Sequence, residues 1–87
     1  QVHQQQLEAL QAREKGYETV LEREPNNQNA LEGLLQARLD MKDYEGAVKP
    51  LEKLVELNPG REDYQGILGQ LKQETNQEKP SSSQKQE

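Results

Sequence analysis

The side chains able to do chemistry in this chain are mostly carboxylates and amides. Asp and Glu number 16 against 11 Lys and Arg, a formal charge of −5 at pH 7. There is one histidine, His3, and no cysteine. A lone imidazole near a chain end makes neither a nucleophile–base dyad nor a metal cluster. Without thiols there are no disulfides, no thiol catalysis and no Cys-based metal sites. No Gly-rich phosphate loop is present. Glu52 and Glu56 stand at polar helix positions, and two carboxylates alone are too common to signal hydrolysis. The chain therefore reads as a non-enzyme with no cofactor and no metal. What remains is recognition chemistry. Glu32, Gln36 and Asp40 recur every four residues and share one face if their segment is helical. Such a row suits charge-assisted hydrogen bonds to a basic or amide-rich polypeptide. A merely solvated polar face is the competing reading.

Composition narrows the partners. Clustered Lys and Arg are what phosphates demand, so the acidic balance disfavours nucleic acid. It disfavours adsorption to anionic membrane surfaces too. No apolar run approaches the ~20 residues that span a bilayer, so no direct membrane insertion is expected. The chain opens on Gln1 rather than Met. That is the pattern of a piece cut from a longer protein. The cytoplasm is then the default location, and loss of an upstream anchor or targeting segment is the other reading.

The elements that must position the polar row follow from periodicity. The chain has 87 residues, of which 30% are hydrophobic and 3% aromatic, so Leu, Val and Ala must build one small core. From Asn29 to Met41, apolar residues fall at Ala30, Leu31, Leu34, Leu35, Ala37 and Leu39, after an Asn-rich stretch with N-cap chemistry. From Tyr44 onward come Ala47, Val48, Leu51, Leu54, Val55 and Leu57, with Asp43 as N-cap. Lys42-Asp43 is then a tight turn that forces the two helices into an antiparallel hairpin. A further helix runs from about Arg61 to Glu74 on a narrow stripe of Tyr64, Ile67, Leu68 and Leu71. Gly66 and Gly69 weaken it by roughly 1 kcal/mol each, a cost that close approach to a neighbour would justify. Leu7, Leu10, Tyr17, Val20 and Leu21 predict one long helix from about Gln4 to Glu24, since no strong breaker interrupts it. These helices make one domain over 1–75. The segment 76–87 offers no apolar residue except Pro80 and reads as a disordered tail or linker.

The prolines give the period. Pro25 and Pro59 stand 34 residues apart, and each closes a helix. At that shift Tyr17 meets Leu51, Val20 meets Leu54 and Leu34 meets Leu68. This period belongs to paired-helix solenoids. Pro50 falls inside a helix instead. It lacks the N–H for the carbonyl of Gly46 and costs about 3 kcal/mol. Burial of Leu51, Leu54 and Val55, at roughly 1.5–3 kcal/mol each, outweighs that, so the helix persists with a bend.

The block from Gln28 to Arg61 resembles a tetratricopeptide repeat. Leu34-Leu35, Tyr44, Ala47 and Pro59 stand at the family's positions, and LVELNPG is close to its repeat junction. Tyr17 to Asn27 looks like the second half of a preceding repeat. Glu62 to Gln73, with Leu68-Gly69, looks like the first helix of a following one. Leu35 in place of the usual Gly and Arg13 in place of a small residue are departures. The resemblance covers most of residues 10–73. It implies an all-α fold of antiparallel hairpins stacked as a short right-handed superhelix of about four helices. It implies a protein–protein interaction scaffold with a partner peptide in the concave groove. Groove positions then map to Asn29, Glu32, Gln36, Leu39 and Asp40, and on the next helix to Asp63, Gly66, Gln70 and Glu74. The Lys, Arg and Asn that grip a terminal carboxylate in some relatives are not matched. Solenoids need about three repeats for stability. One whole and two partial repeats leave a self-associating structural module as the alternative, so the chain is expected as a monomer or weak dimer.

Overall fold

The computed structural model of the chain describes residues 2–78. Four helices follow in order: α1 (Val2–Arg23), α2 (Gln28–Asp40), α3 (Tyr44–Leu57) and α4 (Glu62–Glu78). Among the described residues each helix packs closely against its sequence neighbour and against no other. That nearest-neighbour order is the signature of a helical solenoid. No described helix is long and apolar enough to cross a membrane.

Local chemistry sets the boundaries. Asn27 is the N-cap of α2, its side chain accepting the Ala30 N–H at 3.0 Å. Asp43 caps α3 in the same way on the Gly46 N–H, also at 3.0 Å. Each satisfies one of the N–H groups that a helix start leaves without an intrahelical partner. Between α2 and α3 the chain reverses at Lys42, whose φ of 62° is left-handed. The Lys42 N–H then reaches the Leu39 carbonyl at 2.9 Å, and the Asp43 N–H reaches that of Arg38 at 2.8 Å. This is a Schellman closure, which answers the last carbonyls of α2 and turns the chain back at once. The expected hairpin at Lys42-Asp43 is thus present.

α1 is one unbroken helix, as the absence of breakers predicted. α4 runs on to Glu78, past the expected end at Glu74. Gln and Glu are good helix formers, and each added residue gains a hydrogen bond once the helix exists. The first three residues of the expected tail are therefore helical, and 79–87 lie outside the described residues. Gly66 and Gly69 face open space, so close approach does not account for them.

The core lies between α2, α3 and α4: Leu31, Leu35, Ala47, Leu51, Leu54, Tyr64 and Leu71. Leu51 and Leu54 are fully buried. They follow Pro50, which is itself buried inside an uninterrupted α3. Leucine burial was the expected compensation for Pro50, and a second one is present. The Gly46 carbonyl, left without an N–H by the proline, accepts from Arg38 Nη1 at 2.8 Å. The same guanidinium donates through Nε to Glu14 at 2.9 Å and through Nη2 to Glu18 at 2.5 Å. Arg38, on α2, therefore binds α1 with two nitrogens and α3 with the third. Its planar fork makes this possible where a lysine could not. The Arg38 side chain is 15% exposed, so water competes poorly for these bonds.

The arrangement predicts a coupled pair. Arg38→Met should cost about 2–3 kcal/mol, because a part-buried carbonyl and two carboxylates lose their donor. In a Pro50→Ala background the cost should fall by about 1 kcal/mol, since the alanine returns the missing N–H to the Gly46 carbonyl. Urea unfolding of the four variants measures the coupling, and strict additivity would rule out the shared carbonyl.

Candidate functional site

The polar row of α2 is present and outward. Asn29, Glu32, Gln36 and Asp40 are all exposed, whereas Leu39 is half-buried and packs against the core cluster. On α4, Asp63, Gly66, Gln70 and Glu74 are exposed along one flank. Several of these groups are already engaged. Gln36 Nε2 donates to Asp40 Oδ1 at 2.9 Å. Asp63 takes both prongs of Arg61, at 3.0 and 2.8 Å. Glu32 accepts a short hydrogen bond from the Tyr64 hydroxyl, which carries α4 across to α2.

The electrostatics follow from those contacts. Asp63 is held down to about 2, first by the Arg61 hydrogen bond. The Tyr64 hydroxyl is pushed above its usual value, first by donating to Glu32 and then by burial. The Arg61 guanidinium lies over the Tyr64 ring, 4.1 Å from its centroid. Cation, ring and carboxylate thus lock the start of α4 against the polar row.

The second wall of the site comes from α1. A cleft of ≈360 Å³ runs between α1 and α2, with Arg13 and Tyr17 on one side and Asn29, Glu32 and Gln36 on the other. It continues through Arg13 into a second hollow reaching Leu10 and Asp40. From Asp40 a third hollow reaches Leu7 and Met41. The result is a furrow along the α1–α2 seam. Sequence reasoning took the groove from α2 and α4 and omitted Leu10, Arg13 and Tyr17. Their steps of three and four on α1 were the available signal.

Close approach at this seam depends on Gly33. A Cβ at that position would overlap the Tyr17 ring. The ring therefore sits directly on the α2 backbone. Gly33, not Gly66 or Gly69, is the glycine that a neighbour requires.

Antiparallel α-hairpins, each packed on its sequence neighbour, define a helical repeat. A family model for the tetratricopeptide repeat matches residues 7–71, and the chain belongs to that family. The family is generally one of protein–protein interaction modules, and its repeats are typically non-catalytic. Comparison with curated proteins and with solved structures gave no match.

Two measurements check this geometry. Gly69→Ala should stabilise the fold by about 0.5–1 kcal/mol from helix propensity alone. Gly33→Ala should destabilise it by about 1–2 kcal/mol net, overlap with Tyr17 outweighing the same propensity gain. Equal thermal shifts for the two would refute the close approach.

Tyr64→Phe should cost about 1 kcal/mol at neutral pH. Because the folded Tyr64 titrates above the unfolded value of 10.0, that difference is complete below pH 10. It disappears as pH rises through the folded value. Stability of both proteins against pH tests this, and a difference that persists or grows at high pH contradicts the bond.

Proposed function

We propose that this module binds a partner polypeptide along its inner surface, in the furrow between α1 and α2 and across to the exposed flank of α4. The observation that carries this reading is the continuous line of polar groups from Asn29 through Gln36 to Asp40, beside the apolar patches of Tyr17 and Leu10. A bound segment finds hydrogen-bond partners at regular helical intervals and shallow apolar seats between them. Glu32, Asp40, Asp63 and Glu74 outnumber Arg13 and Lys42 of the furrow lining and bias the surface towards a basic or amide-rich segment. Glu32 and Asp63 are occupied by Tyr64 and Arg61. Glu74, with the amides of Asn29 and Gln70, is then the readiest contact; Gln36 and Asp40, joined by one exposed hydrogen bond, exchange it for a partner's groups, and Leu39 supports the row from beneath.

The test must separate binding from the Tyr64 tie. Asp40→Lys/Glu74→Lys reverses charge without touching Glu32, and Tyr64→Phe loosens α4 without reversing charge. Proteins retained by the wild type should fall by about tenfold on the charge-reversed variant and persist on Tyr64→Phe. Equal retention by all three would defeat the proposal. Exposed Leu7, Val20 and Ile67 favour a second reading, self-association as a structural module. Molar mass in solution decides it: a dimer that dissociates on Val20→Lys or Ile67→Lys supports this reading, and a strict monomer removes it.

A further inference from the structure

The side of α2 away from the furrow holds a different surface. A cleft of ≈520 Å³ opens between α1, α2 and α3. Leu21, Leu31, Leu34 and Pro50 form its apolar lining, with Pro25 beside them. Arg38, Lys49 and Lys53 complete it, and no acid lines it. In a chain with 16 acids and 11 bases that segregation sets the cleft apart. At 100° per residue, Leu31, Leu34 and Arg38 point opposite to Asn29, Gly33, Gln36 and Asp40. α2 therefore separates a furrow of mixed charge, where Glu32 and Asp40 stand with Arg13 and Lys42, from a cleft whose charged lining residues are all basic.

The cleft exists because α1 and α3 do not pack on each other. Arg38 ties them at one end through Glu14, Glu18 and the Gly46 carbonyl, and the rest of the gap stays open. Its cations differ in availability. Arg38 is engaged with those three acceptors. Lys49 is exposed. Lys53 has a loose contact with Glu56 at 3.8 Å, with its side chain 40% exposed. Such a contact is weak and readily exchanged. Lys49 and Lys53 stand four residues apart, one turn of α3.

We infer that this outer cleft docks an acidic amphipathic helix of a partner protein. Its aliphatic side chains sit over Leu21, Leu34 and Pro50. Its carboxylates, one turn apart, meet Lys49 and Lys53. The argument is complementarity of chemistry: an open cleft between α1 and α3, lined by aliphatic side chains, accepts an apolar helix face, and its cations select acids. An anionic bilayer is a poor fit, because the whole chain carries −5 and the cleft offers only two exchangeable cations. Nucleic acid is a poor fit too, since two lysines neutralise few phosphates and no aromatic ring lines the cleft for stacking.

The probe is a labelled synthetic helical peptide with glutamates at i and i+4 and leucines on the same face. Fluorescence anisotropy should show saturable binding below about 1 mM, weakened by salt. Lys49→Glu/Lys53→Glu should reduce it at least about tenfold, while Asp40→Lys/Glu74→Lys, at the furrow and on the α4 flank, leaves it unchanged. Lys49→Ala/Lys53→Ala, which adds no like charge to α3, should give a smaller loss in the same direction. Circular dichroism confirms that each variant is folded. Absence of saturation overturns the proposal, as does undiminished binding to the lysine variants. So does equal binding of an isomeric peptide whose leucines are spread round the helix, which would reduce the contact to charge alone. Binding to phosphatidylserine vesicles that the lysine variants lose, without binding to the peptide, would assign the cleft to membranes and overturn it equally.

Discussion

Pro50 removes the N–H that the Gly46 carbonyl would otherwise receive, and Arg38 of the neighbouring helix supplies the replacement. That exchange has consequences well beyond one hydrogen bond. A carbonyl that cannot be satisfied within α3 is satisfied from α2, so the hairpin is held by its own defect. The remaining nitrogens of the same guanidinium hold two carboxylates of α1. One side chain thus sets the positions of three helices. Because the group is planar and permanently charged, it fixes direction as well as distance. The gap it spans is the outer cleft, and where Arg38 sits decides where that cleft begins.

The inner side is organised by the same logic with different chemistry. α2 and α4 do not run side by side, and the Tyr64 hydroxyl on Glu32 ties them. Arg61 covers the ring of that tyrosine. In a solenoid each helix buries apolar area against its sequence neighbours, so alternate helices face each other across open space. Polar ties such as Tyr64 to Glu32 and Arg38 to Glu14 join helices that are not sequence neighbours or not otherwise held at those points. The Gly33–Tyr17 contact is the complementary case. There a ring takes the volume that a side chain would have had, and it floors the furrow between α1 and α2.

Much of the candidate site's placement was legible in advance because it is helical. A four-residue step places Glu32, Gln36 and Asp40 on one face whatever surrounds them, and all three are exposed. Leu39 could not be sorted by step alone: it borders the polar row in angle yet turns into the core. Arg13 and Tyr17 were missed as groove walls because a wall is a relation between helices, and nothing in α1 by itself says which helix it will face. The glycines were misjudged for the same reason. Gly66 and Gly69 differ from Gly33 only in what lies opposite them.

What the sequence determined by itself was everything governed by contacts a few residues long. Helix starts at Asn27 and Asp43, the reversal at Lys42 and the apolar stripes depend on neighbours within a turn or so of each residue, and those are written in order along the chain. The 34-residue recurrence added the stacked architecture, since equal units can bury equal faces only against one another. Tertiary structure alone decided the partners of Arg38, the engagement of Glu32, and the division of the surface into a furrow of mixed charge and a cleft whose charged lining is basic. Those depend on residues far apart in the chain meeting at hydrogen-bond range, as Glu18 meets Arg38 and Glu32 meets Tyr64. A distance of that kind is set by how helices pack, not by the step between side chains.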